Sequence, residues 1–165
     1  MGALIQWGYR MMKPEIITIE INRVAVINNP AVINNRIAVG NDVVHLPTFL
    51  KSLTPLFIKR SYTENELAYC TRFADPALRY ASTWAAKEAV YKALKQADEH
   101  IKLWWRDIEI NRPKPQGKPT VSISKLKDPL DFSLTITHDG DYVWALAVCV
   151  YQANTATAPT HSAFV

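Results

Sequence analysis

Apolar and polar positions alternate in character along the chain, and the alternation divides it into three regions. Residues 16–27 read Ile-Ile-Thr-Ile-Glu-Ile-Asn-Arg-Val-Ala-Val-Ile, rich in β-branched side chains and partly alternating, which predicts a strand. Asn28-Asn29-Pro30 punctuates the run. Ala25-Val26-Ile27-Asn28-Asn29 then recurs as Ala31-Val32-Ile33-Asn34-Asn35, a hairpin-like pair and too few copies for a repeat protein. A further strand runs from Arg36 to Val44 and leads into His45. The middle of the chain is helical. Pro47 to Leu53 predicts a short amphipathic turn or two with Phe49, Leu50 and Leu53 inward, and Pro55 interrupts it or starts a second piece. Thr63-Glu64-Asn65-Glu66 has the spacing of a capping box and predicts a helix to about Phe73. Asp75 as N-cap and Pro76 at the first helical position open a longer helix to about Ala97. The last third returns to strands: Trp105 to Asn111, Val121 to Ile123, Phe132 to Thr137 and Tyr142 to Tyr151. The last two form a hairpin across His138-Asp139-Gly140-Asp141, and the proline-rich stretch Pro113 to Pro119 is a turn. The order predicts an α+β domain, a mainly antiparallel sheet packed against a long helix and shorter helices.

Composition narrows this little. With 165 residues and 48% apolar side chains, one domain with a real core is expected, with or without an appendage. A charged fraction of 21% excludes wholesale disorder. No apolar run reaches the ~18–20 residues of a membrane helix, so no membrane role is expected. Cys70 and Cys149 match no metal or redox spacing, and no secretory leader is legible, so a reducing, cytoplasmic setting is expected. Met11-Met12 suggests an alternative start. The net charge of +4 admits nucleic acid, phosphorylated ligands or an acidic protein. The basic residues are scattered and no nucleic-acid module is legible, so nucleic acid is not expected as a partner.

The long helix carries the most chemistry. Ser82, Ala86, Ala89, Val90, Ala93 and Ala97 share one stripe at helical spacing, small enough for close approach to a sheet. The opposite face carries Trp84, Glu88, Tyr91, Lys92 and Lys95, with Glu88 and Lys92 one turn apart. It reads either as a solvated face with one ion pair or as a partly buried polar site walled by aromatics. Asp42 is the one acid in the strand Arg36 to Val44. It reads either as an edge or turn aspartate or as a carboxylate for a hard cation, of which Mg²⁺ is the one that keeps waters and bridges to phosphate. His45 alone reads as structural.

Two motifs together resemble the 4′-phosphopantetheinyl transferase superfamily, in its short holo-acyl-carrier-protein synthase type. One is Gly40-Asn41-Asp42-Val43-Val44, with Phe49 following. The other, far more specific, is Trp84-Ala85-Ala86-Lys87-Glu88-Ala89-Val90-Tyr91-Lys92-Ala93-Leu94. Thr63-Glu64-Asn65-Glu66, the turn Pro115-Gln116-Gly117-Lys118-Pro119, and Ile136-Thr137-His138 before Tyr142 to Ala147 agree in order.

The resemblance implies transfer of the phosphopantetheine arm of coenzyme A to a serine of an apo-acyl carrier protein, releasing adenosine 3′,5′-bisphosphate. By the same resemblance Asp42 and Glu88 hold Mg²⁺. Asp42, Glu88 and Lys92 are the catalytic set. Lys87, Lys92, Gly117, Lys118 and His138 contact coenzyme A. The serine base is Glu88 or a water oriented by Asp42 or Glu88. Carrier proteins are acidic, and Lys51, Lys59, Arg60 and Arg72 would face one. A homotrimer is implied, as is a role in fatty acid biosynthesis. The expected division is an N-terminal extension over 1–36 with extra strands, a transferase domain over 37–151, and a flexible tail over 152–165. Several positions depart from the family pattern: Asn41, Lys95, the missing acid two places after Asp42, and Thr83 where many short members carry arginine. The alternative function is a catalytically silent homologue that binds the carrier or coenzyme A.

Overall fold

Alternation along the first described strand sets the architecture. In β1, Asn35–His45, residues Ala38, Gly40, Asp42 and Val44 are buried while Ile37, Val39, Asn41 and Val43 are exposed. That period of two gives the strand one covered and one open face. The computed structural model describes residues 35–113, 117–126 and 130–152. The strands and duplication expected before residue 35, the middle of the proline-rich turn and the tail after residue 152 lie outside the described residues.

Four helices follow β1: α1, Leu46–Ser52; α2, Pro55–Ser61; α3, Glu64–Cys70; and α4, Ala77–Ala97. Thr54 caps α2 by accepting from the Phe57 N–H at 3.2 Å. The expected capping box opens α3: Thr63 Oγ1 accepts from Glu66 N–H, and Glu66 Oε2 accepts from Thr63 N–H at 2.8 Å. Three details differ from the sequence reading. Leu50 is exposed rather than inward, since the single buried side chain of the two-turn α1 is Phe49. Helix α3 stops at Cys70, three residues early, before the turn that precedes Asp75. Pro76, not Asp75, is the residue flanking α4, although Asp75 Oδ1 still accepts the Ala77 N–H at 3.0 Å.

A single 3-10 turn, Trp105–Asp107, precedes β2, Ile108–Asn111, so the expected strand is shorter at its start. Asp107 closes that turn, accepting the Trp104 N–H at 2.6 Å. Then come β3, Thr120–Ile123; β4, Asp131–Asp139; and β5, Tyr142–Gln152. Strands β4 and β5 form the expected hairpin around Gly140 and Asp141, and Gly140 takes the positive φ of 51° that such a tight turn demands. The main sheet is antiparallel with order β1-β5-β4, and β2 and β3 form a second, two-stranded sheet.

Helix α4 lies over β1 and β5. The stripe Ser82, Ala86, Ala89, Val90 and Ala93 is buried, against Ala38, Val143, Ala145, Ala147 and Cys149 of the sheet. More of α4 is buried than one stripe allows, because α1, α3 and β2 pack on its flanks. Close approach depends on Gly40. A Cβ there would sit 2.0 Å from the Ala89 carbonyl oxygen and 2.5 Å from the Ala93 nitrogen. Both are backbone atoms, which cannot swing aside, so only a residue without Cβ fits beneath the helix.

Candidate active site

Asp42 and Glu88 reach the seam between β1 and α4 from opposite sides. Asp42 is two residues beyond Gly40 on the covered face of β1. Its side chain is only 10% exposed. Lys92 donates to Asp42 Oδ1 at 2.7 Å from α4, its own side chain half in water. The other oxygen, Oδ2, is buried and has no hydrogen-bond partner among the described residues. Glu88 stands one turn before Lys92 on the same helix. Burial first, and then the Asp42 carboxylate beside it, push its pKa up to about 7, while Lys92 and Trp84 pull it the other way.

Two neighbouring carboxylates, Glu88 made harder to ionise and Asp42 with an orphaned buried oxygen, are chemically suited to share a cation. Among the described residues no cluster of three or more His, Cys, Asp or Glu side chains is placed to hold a metal ion. That donor set does not make a closed zinc or calcium cage. It does fit Mg²⁺, which uses one or two carboxylates and completes its shell with substrate phosphate and water.

An aromatic wall borders the acid pair. Trp84 precedes Glu88 by one turn and Tyr91 follows it by three residues. Trp105 packs on both, with ring centroids 4.7 and 5.3 Å away, and Phe57 of α2 adds a ring 4.8 Å from Trp84. Sequence periodicity singled out Trp84 and Tyr91 but missed Trp105 and Phe57, which arrive from separate elements and carry no local signal.

Lys87 is not available to coenzyme A. Its side chain is fully buried and pairs with Glu66 Oε2 at 2.7 Å. It also donates to the carbonyls of Trp105 at 2.8 Å and Ile108 at 2.6 Å. An ammonium has three donors and all three are used. Burial pushes the Lys87 pKa down, against the pull of Glu66. Glu66 does more than cap α3: its Oε1 accepts the Ile110 N–H at 2.8 Å. The pair therefore ties α3, α4, the 3-10 turn and β2 together. The expected phosphate contact is corrected to a structural joint, which follows from Lys87 projecting about 100° around the helix from Glu88.

The register puts His138 on the same face of the sheet as Asp42. Asp42 lies level with Ala145 and Ile136, and Val44 with Val143 and His138. His138 is exposed, two strands across and two residues along, so ~12 Å away in the sheet. Gly117 and Lys118 lead into β3, and no hydrogen bond among the described residues joins them to Asp42 or Glu88. His45 hydrogen-bonds Thr48 Oγ1 through Nδ1 at 2.8 Å and sits by the Tyr142 ring, a structural role. Thr83 accepts a hydrogen bond from Arg112 Nη1 at 2.9 Å. Arg112 lies over the Tyr69 ring, 4.8 Å from its centroid.

Where this small-residue helix crosses the antiparallel sheet stand an acid pair and a lysine, a set of charges suited to a cation and a phosphate. The sequence model of the 4′-phosphopantetheinyl transferase superfamily matches residues 38–147, and the chain belongs to that superfamily. It is 38% identical over 117 residues to a holo-acyl-carrier-protein synthase of Protochlamydia amoebophila, covering 67% of this chain and 94% of that protein. It is also 34% identical over 110 residues to a fatty acid synthase alpha subunit of Dothistroma septosporum, 67% of this chain and 33% of the relative. The chain thus spans a third of that relative's length. Among solved structures, a Chronobacterium ammoniagenes ACPS–CoA complex superposes with a TM-score of 0.62 at 26% identity, covering 72% of this chain and 99% of that one. A Helicobacter pylori holo-acyl-carrier-protein synthase in complex with coenzyme A gives 0.56 at 27% identity, covering 67% and 98%.

Proposed function

We propose that the chain is a holo-acyl-carrier-protein synthase. It moves the 4′-phosphopantetheine arm of coenzyme A to a serine of an apo-acyl carrier protein, with Mg²⁺, and releases adenosine 3′,5′-bisphosphate. The observation that carries this reading is the Asp42–Glu88 pair at the β1–α4 seam with Lys92 beside it. The family match and the coenzyme A complexes of related structures agree with it.

Asp42 and Glu88 would hold Mg²⁺, which supplies charge neutralisation for the pyrophosphate oxygens. Lys92 has the reach to exchange Asp42 for a phosphate oxygen, since half its side chain is already in water. The serine oxygen forms a bond to the β-phosphorus, the phosphorus–oxygen bond to the nucleotide breaks, and adenosine 3′,5′-bisphosphate carries away the electron pair. The serine proton goes to Glu88, directly or through a water oriented by Asp42 or Glu88. His138, Gly117 and Lys118 are assigned to the nucleotide end of coenzyme A. Lys51, Lys59, Arg60 and Arg72 are all exposed and suit an acidic carrier.

Assembly as a trimer is part of the same reading. The face of the main sheet away from α4 exposes Ile37, Val39, Val43, Tyr142, Trp144 and Val150, more apolar side chains than a solvated sheet face usually shows. No helix among the described residues is long and apolar enough to cross a membrane, and a cytoplasmic setting fits the substrates.

Intact mass spectrometry of an apo-acyl carrier protein after incubation with the protein, coenzyme A and Mg²⁺ tests the reading. The carrier should gain one phosphopantetheine group, and Glu88→Gln should cut the rate by about a hundredfold or more. No adduct on any of several apo-carriers would leave the silent homologue as the better description.

A further inference from the structure

We infer that Trp104 is the apolar anchor of the surface on which the acidic carrier protein docks. The inference deepens the transfer reading and rests on it.

Trp104 is 76% exposed, more than any other large apolar side chain among the described residues. A tryptophan held in water offers a large burial gain to whatever covers it, and tryptophan is enriched among interface anchors. Its place in the fold is fixed from behind. The next residue, Trp105, packs on Trp84, and the Lys87 ammonium holds the Trp105 carbonyl. Phe57 packs on the same Trp84 ring, and the residue before it, Leu56, is 54% exposed. Leu56 and Trp104 are thus the outer neighbours of two rings that meet on one indole. Arg106 joins the two segments, donating from Nη1 to the Lys59 carbonyl at 3.4 Å.

Charge selects the partner. Lys59, Arg60 and Arg106 are exposed on the two segments that carry Leu56 and Trp104, and none of them forms an ion pair among the described residues. Asp107, the acid on the same turn, is already held by Lys125 at 2.7 Å. An apolar centre inside a positive rim complements a partner with an apolar helix face among acidic residues. Coenzyme A would satisfy the positive charges but has no need of an exposed indole and leucine. Position agrees, because Trp84 is one helical turn from Glu88.

The test separates docking from transfer. With coenzyme A saturating, Trp104→Ala should raise the KM for an apo-acyl carrier protein about tenfold or more, while the KM for coenzyme A, the native mass and the far-ultraviolet spectrum stay as in the parent. Trp104→Phe should recover most of the loss. An unchanged carrier KM overturns the inference. An equal rise in the KM for coenzyme A overturns it too, by moving Trp104 into the nucleotide site. A changed native mass overturns it by making the patch a contact between copies of this chain. Binding is read apart from chemistry by titrating the carrier into Glu88→Gln protein. That protein should bind, and Glu88→Gln with Trp104→Ala should bind at least about tenfold more weakly. Equal binding by the two, or none by the first, overturns the inference. Binding through Trp104 without any transfer would keep it while removing the transfer reading.

Discussion

Lys92 and Lys87 lie five residues apart on one helix and do opposite work, and only burial distinguishes them. Lys92 is half exposed and pairs with Asp42 across the seam; Lys87 is sealed against Glu66. Lys92 is the hydrogen-bond partner of a carboxylate that is only 10% exposed, so Lys92→Met strands that buried group and should cost about 1–3 kcal/mol while the protein stays folded. The same substitution removes the one cation at the acid pair and should lower kcat/KM by about a hundredfold or more. Urea unfolding beside the carrier-loading assay reads both effects. Full kcat/KM in folded Lys92→Met protein would make Lys92 a structural residue. The sequence spaced Glu88 and Lys92 one turn apart by helical period, but on the face opposite the small-residue stripe, and only the family resemblance joined them to Asp42 of β1, which Lys92 pairs with in the fold. It could not show that Lys87 is occupied, because its partners Glu66, Trp105 and Ile108 come from α3, the 3-10 turn and β2, which meet only after folding.

The α4–β1 crossing is the element that brings the acids together, and its spacing is set by absent side chains. Ala86, Ala89 and Ala93 face a strand that carries Gly40 at the contact. Gly40→Ala would drive a methyl group into the Ala89 carbonyl and the Ala93 nitrogen. Overpacking of this kind costs about 1–3 kcal/mol. The helix would have to lift, and lifting it moves Glu88 and Lys92 away from Asp42. The expected result is a lower urea midpoint together with loss of transfer that added Mg²⁺ does not restore. Unchanged activity in Gly40→Ala would show that the seam has room the structure does not grant it. The small-residue stripe was legible as periodicity, and the capping box of α3 and the Gly140 hairpin as turn chemistry. The inward placement of Leu50 was not, because a helix of two turns has too few positions for its period to fix one face. The strand start was read too early, at Trp105: the alternation begins only at Ile108, after Arg106-Asp107 breaks it and Asp107 bends the backbone into a turn.

At the scale of the whole fold, and among the described residues, the main sheet is covered on one face by α4 and open on the other. Along β1 and β5 the open rows run Val43 with Trp144, Asn41 with Leu146, Val39 with Val148 and Ile37 with Val150. Rows this apolar favour association, and the third strand of the sheet offers mostly polar residues, Ser133, Thr135 and Thr137, at the same level. Association is therefore expected to centre on β1 and β5 rather than β4. Trp144 is half exposed and points away from α4, so Trp144→Glu places a carboxylate on that face without touching the covered core. Sedimentation equilibrium should show three chains for the parent protein and one for Trp144→Glu, with the helical content of the two alike. If the active site draws residues from two copies, the monomeric variant should also lose carrier loading while Asp42, Glu88 and Lys92 remain intact. A parent protein that sediments as one chain would dismiss the trimer. Full activity in a monomeric Trp144→Glu would show that each chain carries a complete site, and that the open face serves assembly alone.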